Sequence, residues 1–335
     1  MPRIVLVVLA ALAVCIVATS CGGSSSSSSG AGGEKSKLTL AAYSTPREVY
    51  EELIPKFQAT DEGKGVTFEQ SYGGSGEQSR AVEAGLETDV VAFSLAPDVD
   101  RLVDAGLVAN DWASDEFDGM VSRSVVVLAV RKGNPDHIRG WEDLVRDGVD
   151  VITANPFTSG GARWNVMAAY GAAEKRGESS EESVEYLRRL FHNVSVQDKS
   201  ARDSLQTFLG GKGDVLLAYE NEALTAQANG EDLDYVVPDE TILIENPIAV
   251  TNDGGPTAQA FVDFARTTAA QRVFAEKGYR SIRPDLVDGE RYPTPQSLFT
   301  IGDLGGWPDV QERFFDRESG IMADIEREVG APLDD

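Results

Sequence analysis

Histidine and cysteine are almost missing from this sequence, with two of each in 335 residues. So few ligands leave nothing for a zinc site, a disulfide framework or a Cys–His nucleophile pair. No metal or cofactor is therefore expected. Positive charge is also scarce: 30 Lys and Arg stand against 55 Asp and Glu, a formal charge of −25. Binding to a phosphate backbone needs clustered Lys and Arg, so nucleic acid is excluded as a partner. Long apolar runs are absent beyond the extreme N-terminus, which excludes a polytopic membrane protein. What remains is 41% hydrophobic and long enough to bury one or two sizeable cores, so bulk disorder is excluded too.

The first twenty residues carry one basic side chain, Arg3, and an apolar stretch from Ile4 to Ala18, followed by Thr19, Ser20 and Cys21. This is the pattern of a secretory signal over 1–20. Cys21 after Ala18-Thr19-Ser20 resembles a bacterial lipobox, with Cys21 as the lipidated first mature residue; Cys15 follows the bulkier Val14. Gly22 to Gly33 is only Gly, Ser and Ala, with six consecutive serines. Such a tract buries no apolar surface and reads, over 21–37, as a flexible tether. The expectation is an extracytoplasmic protein held to the cytoplasmic membrane by lipid.

From Leu38 onward short β-rich runs alternate with helical segments. Strands are expected at 38–42, 66–70, 89–93, 124–131, 149–153, 194–197, 214–219 and 235–237, with helices at 46–58, 78–85, 98–105, 162–176, 183–191 and 201–209. Strands and helices in this alternation predict an α/β architecture with mostly parallel sheets, and about 300 residues of it predict two lobes.

Four helix starts follow strands with small or hydroxyl-bearing residues. They are Ser44-Thr45-Pro46-Arg47-Glu48, Gly73-Gly74-Ser75-Gly76, Thr158-Ser159-Gly160-Gly161 and Lys199-Ser200-Ala201-Arg202. In the first, Thr45 is placed to cap, Pro46 to open the helix and Glu48 to close a capping box. Each start leaves backbone N–H groups free beside the positive end of a helix dipole. Ligands of open α/β sheets settle at the carboxyl ends of strands, where these turns must lie, and free helix-start amides suit an oxyanion. None of the four is a P-loop, because Gly73 to Ser79 lacks the Lys and Gly210-Gly211-Lys212-Gly213-Asp214 lacks the closing residues.

Longer blocks carry a resemblance. Tyr72-Gly73-Gly74-Ser75-Gly76, Val130-Arg131-Lys132-Gly133-Asn134-Pro135, the run Ser159-Gly160-Gly161-Ala162-Arg163-Trp164-Asn165, and Gly213 to Ala223 occur in order. Asp198 to Arg202, Phe299-Thr300-Ile301 and Gly305-Gly306-Trp307 complete the set. The chain resembles the periplasmic sulfate-binding proteins, the substrate-binding subunits of sulfate/thiosulfate ABC importers. The resemblance implies a two-lobed, type II periplasmic-binding-protein-like fold. Lobe 1 would span 38–123 plus 249–335 and lobe 2 would span 124–248, with crossover strands at 124–130 and 248–250 and the anion in the cleft. It implies sulfate or thiosulfate as ligand, a membrane permease as partner and a monomeric protein. Carried over by motif, the donors are the amides of Ser44, Ser159, Gly160, Gly161 and Ala201, the hydroxyl of Ser75 and, where the family has an indole, the hydroxyl of Tyr219. Arg163 and Arg202 match arginines that stand behind the donors. Ser44-Thr45-Pro46 departs from the family's usual order, so the donor register there can slip by one residue.

Alternatives stay open. Helix-start donors serve any tetrahedral oxyanion, molybdate and phosphate included. A sulfate-ester hydrolase would need a nucleophile and a base, yet no GxSxG elbow is present, and His137 and His192 sit in a turn and at a helix end. Glu220 and Glu222 flank Asn221 at the expected end of a strand, where lobe contacts are the expected role.

Overall fold

The computed structural model describes residues 37–292 and 294–333, all within the unit Glu34–Asp335. The signal segment, Cys21 and the tether as far as residue 36 lie outside the described residues, whereas Lys37 already opens the first strand. A first run comprises β1 (Lys37–Tyr43), α1 (Arg47–Gln58), β2 (Thr67–Gly73), α2 (Ser75–Glu83), β3 (Val90–Ala92) and α3 (Ala96–Asp104). β4 (Met120–Arg131) leads into β5 (Val151–Ala154), α4 (Gly160–Lys175), α5 (Ser180–His192) and β6 (Val194–Asp198). Next come α6 (Ala201–Leu209), β7 (Val215–Tyr219), α7 (Glu220–Ala228), β8 (Leu233–Val236) and β9 (Glu240–Val250). The chain ends with α8 (Gly255–Ala265), α9 (Thr268–Glu276), β10 (Ser297–Phe299), α10 (Gly306–Phe315) and α11 (Ile321–Val329).

The sheet order is β2-β1-β3-β9-β4-β7-β5-β6, with β8 on β4 and β10 on β9. Pairing is parallel within each end, β2-β1-β3 and β7-β5-β6. It is antiparallel through the middle, where β3 meets β9, β9 meets β4 and β4 meets β7. The segments expected to cross between halves lie on β4 and β9, the longest strands, which pair over Met120–Val125.

The near-continuous apolar run of β4 is explained by helices covering both of its faces. Val126, Leu128 and Val130 enter one core with Trp164, Met167 and Tyr186, while Val125, Val127 and Ala129 enter another with Phe208 and Leu216. The alternation is the two-residue period of a strand. At the other end of the sheet, Leu38 and Leu40 pack against Tyr50, Leu53, Phe57, Phe261 and Phe274, and Ala41 against Phe93, Val99 and Leu102. The last segment departs from expectation. The resemblance implies that residues 249–335 belong wholly to the first lobe, but Phe299, Val310, Phe314, Met322 and Ile325 pack into the core of β4, α4 and α5. The physical reason is complementarity: Gly171 of α4 leaves space that the Phe299 ring fills, and Phe314 stacks edge-on against Tyr170 at 4.8 Å.

Two local expectations also change. α1 is preceded by Pro46 without a side-chain cap, because the Thr45 hydroxyl turns instead to Glu222, 3.4 Å away. Glu220 and Glu222 are not on a strand end but in the first turn of α7, both buried.

Candidate functional site

Six strands, three from each end of the sheet and the two sets running in opposite directions, hand the chain to turns that meet around a small cavity. Its lining comes from Tyr43–Thr45 after β1, Gly73–Ser75 after β2, Ser94 after β3, Ser159 and Gly161 at the start of α4, Ser200 and Ala201 at α6, and Tyr219 closing β7. Among the described residues no Asp, Glu, Lys or Arg lines it. At about 10 Å³ its free volume is far below the roughly 300–1,000 Å³ of sites for drug-sized ligands. The two ends of the sheet come close here. A methyl group built on Gly74 would lie 2.7 Å from the Thr158 carbonyl oxygen and 3.0 Å from that of Lys199. Gly74 has φ −63°, so close approach rather than backbone conformation demands glycine.

The donors can be sorted by what already holds them. The amides of Gly160, Gly161 and Ala201 are the first of their helices and have no protein acceptor among the described residues. The Ser200 and Ser159 hydroxyls accept from Asp203 and Ala162, capping α6 and α4. Three expectations are corrected. The Ser44 amide is spent on the Gly73 carbonyl at 2.9 Å, extending the β1–β2 ladder, and the next amide, Thr45, is the one without an acceptor. The register thus slips by one, because Ser44 still pairs as strand. The Ser159 amide is spent on the Asn155 carbonyl at 2.9 Å, inside the turn that feeds α4. The Ser75 hydroxyl is committed as well: it donates to Asp98 at 2.5 Å and accepts from the Ser94 amide at 2.9 Å. The Ser75 amide, first in α2, remains without a protein acceptor among the described residues.

Gly160 is expected in the donor set but does not line the cavity; a Cβ built on it would come 2.6 Å from the Leu95 side chain and 2.9 Å from that of Ser94. Tyr219 is wholly buried and its hydroxyl lies 2.6 Å from the Ser94 hydroxyl. Burial pushes the Tyr219 phenol well above its usual range.

Charge sits one layer further out. Arg202 donates to the carbonyls of Ser44 and Thr45 and makes a two-pronged pair with Glu48 at 2.7 and 2.6 Å. Burial alone would raise the Glu48 carboxyl, yet its hydrogen bonds to Arg202 outweigh that and hold it below its usual value. Arg163 donates to the Pro156 carbonyl and to Gln311, and its guanidinium faces the Phe315 ring. Burial lowers it to about 10, with Asp98 opposing. Glu222 accepts from Thr45 Oγ1 and the Tyr219 amide, and burial pushes its carboxyl up to about 7. Glu220 is gripped by Arg280 at 2.7 and 3.1 Å, and the Asn221 side chain accepts from Ser124 of β4. Among the described residues no group of three or more His, Cys, Asp or Glu could hold a metal.

Ser94 and Asp98 are not singled out by the sequence, whereas Ser200 lies in one of the four helix starts and the Thr45 amide is the one-residue slip the sequence allows. Ser94 follows an expected strand and precedes an expected helix, the rule that found the other turns; the absence of a flanking glycine hid it. Asp98 acts through Ser75, a contact over 23 positions with no sequence signature.

A model of the bacterial extracellular solute-binding proteins matches residues 38–280. A sulfate-binding protein from Synechococcus elongatus is 43% identical over 296 residues, spanning 84% of this chain and 85% of that protein. A thiosulfate-binding protein from Escherichia coli is 34% identical over 300 residues, spanning 84% and 89%. Among solved structures, the sulfate-binding protein SubI from Mycobacterium tuberculosis matches with a TM-score of 0.80 and 40% identity, over 84% of this chain and 99% of that one.

Proposed function

This chain belongs to the bacterial extracellular solute-binding protein family, and we propose that it captures sulfate outside the cytoplasm and delivers it to the permease of an ABC importer. One observation carries the reading: a small cavity walled by uncharged residues, onto which amides from several helix starts converge. Amides that lack protein acceptors suit an ion that only accepts hydrogen bonds. Sulfate at neutral pH is such an ion. Phosphate near neutrality carries a proton that needs an acceptor, and leaving it unpaired costs about 1–3 kcal/mol. The relatives named for sulfate and for thiosulfate share this ligand chemistry, so thiosulfate is the second substrate within the same reading.

A formal charge of −25 does not forbid a dianion. Screening ends surface repulsion beyond about 8 Å at physiological ionic strength, whereas each hydrogen bond to a charged group contributes roughly 1.5–3 kcal/mol at contact. About five such donors exceed an association cost of at least about 4 kcal/mol. The donors are the amides of Thr45, Ser75, Gly161 and Ala201, the Ser159 hydroxyl and the hydroxyls around Tyr219. Arg202 and Arg163 hold the donor-bearing turns without touching the anion.

In this reading the halves of the sheet close on the ligand as two lobes about β4 and β9. The protein acts as a monomer and without chemical turnover, and Cys21 carries the lipid that keeps it near its permease. Isothermal titration with sulfate, thiosulfate, molybdate and phosphate tests it. Sulfate or thiosulfate is expected to bind at micromolar levels or tighter, with phosphate much weaker. Comparable sulfate and phosphate affinities would contradict the donor list, and slow hydrolysis of an aryl sulfate ester would revive the enzyme alternative.

A further inference from the structure

Ser94 of the cavity wall is held through its amide, its carbonyl and its hydroxyl, and that arrangement leaves one proton uncommitted. It is fully buried. Its amide donates to the Ser75 hydroxyl at 2.9 Å, and its carbonyl accepts from Trp164 Nε1 at 2.8 Å and Asn246 Nδ2 at 2.9 Å. Those contacts tie α2, α4 and β9 to one peptide, so the backbone cannot rotate away. The side chain alone is left, pressed against the start of α4: a Cβ on Gly160 would come 2.9 Å from Ser94 Cβ and 3.0 Å from its Oγ.

Tyr219, 2.6 Å away, is the other half of the device. Two hydroxyls own two protons, and the bond between them uses one. A phenol is a stronger acid than an aliphatic alcohol and hence the better donor. Burial keeps this phenol protonated. The phenol therefore donates to Ser94 Oγ, and the remaining proton, on the serine, is the one free to turn into the cavity. Accepting from the phenol polarises the seryl O–H and strengthens what it donates.

We infer that Ser94 is an anion-binding residue, its hydroxyl donating directly to the bound oxyanion, and that Tyr219 is a positioning residue acting through it. This inference rests on the oxyanion-binding reading above. Its test is a double-mutant cycle on the full chain in detergent, with sulfate as the probe in calorimetry and thermal melts without sulfate as the folding control. Ser94→Ala is expected to weaken sulfate binding by about ten- to a hundredfold, the worth of one hydrogen bond to a charged group. Tyr219→Phe is expected to weaken it less, and the double variant to bind as Ser94→Ala does, because the two hydroxyls act in series. Ser94→Cys is somewhat larger but donates weakly, so it should follow Ser94→Ala in affinity, with the melt reporting any cost of repacking. Affinity within about twofold of the unmodified chain for either Ser94 variant overturns the inference, since a lost hydrogen bond to an anion costs more. Additive losses, with Tyr219→Phe the larger, overturn it as well by making the phenol the direct donor. No sulfate binding by the unmodified chain would instead overturn the functional reading itself.

Discussion

Thr45, Ser75, Gly161 and Ala201 bring only amides and small side chains to the cavity, whereas Asp98, Glu222 and Arg202, one contact behind the wall, bring formal charge. The two layers differ in what their geometry requires. A charged side chain in the wall would meet the ligand with a full charge and a flexible stem. The same charge behind the wall meets a backbone carbonyl or a hydroxyl and fixes it. Arg202 illustrates this by gripping Glu48 while donating to the carbonyls of Ser44 and Thr45, so its charge is consumed in orienting a turn. The lesson is that a site for a dianion can be built by spending ions on the scaffold and leaving dipoles for the guest.

The sharpest way to break that division is to move a carboxylate into the wall. A Cβ on Gly161 would meet Ala201 and Ser159 at 3.4 Å and the Tyr219 ring at 3.7 Å, so the first carbon of Gly161→Asp adds no clash, and a melt without sulfate checks that the variant folds. Like charges brought together cost several kcal/mol, so sulfate affinity is expected to fall by more than about a thousandfold in calorimetry. Unchanged affinity would mean that the anion binds elsewhere.

Breaking the rear layer should read out in stability rather than affinity. Arg280→Met leaves Glu220, which has no exposed surface, as an uncompensated buried carboxylate beside α7. Such a loss typically costs about 3–5 kcal/mol, measurable in urea unfolding. A sulfate affinity that fell as steeply as the stability would erase the distinction between the layers.

Arg202→Met tests the link between them at smaller scale. Its pair with Glu48 is about one-third exposed on each side, so the stability change should stay within about 1 kcal/mol. Freed from its two carbonyl contacts, the turn that carries the Thr45 amide should cost about three- to tenfold in sulfate affinity by titration, less than a full charged hydrogen bond.

The smallest effect concerns pH. Burial raises the carboxyls of Glu222 and Glu326 to about 7 in the folded chain, against about 4.3 for a free Glu. Between those values the folded state holds protons that the unfolded state has released, so stability falls as pH rises through that window. Melting at pH 5.5 should exceed melting at pH 7.5, and Glu326→Gln should flatten the slope by about 2–4 °C. A melting temperature that rises with pH over this range would exclude the two carboxyls as its source.

Most of the architecture is visible in the order of residues, because strand and helix periods and helix-start chemistry are local. The turns at 44–48, 73–76, 158–161 and 199–202 all reach the cavity for that reason. What stayed hidden is relational. Whether Ser44 or Thr45 offers its amide depends on how far the β1–β2 ladder runs, and Gly73 decides that from 29 positions away. Whether the Ser75 hydroxyl is available depends on Asp98 in another helix. Nor could periodicity reveal that the segment after 296 crosses to the other core, since an apolar helix face does not name its partner.

Gly74 has a consequence for how such a protein can drift. A single added methyl there would act as a doorstop between the Thr158 and Lys199 carbonyls, although the backbone itself would tolerate it. Backbone carbonyls cannot swing aside as the tip of a side chain can, so the two ends of the sheet would be wedged apart. Cargo would leak away too soon, and this position answers for retention of the passenger as well as for the soundness of the vessel.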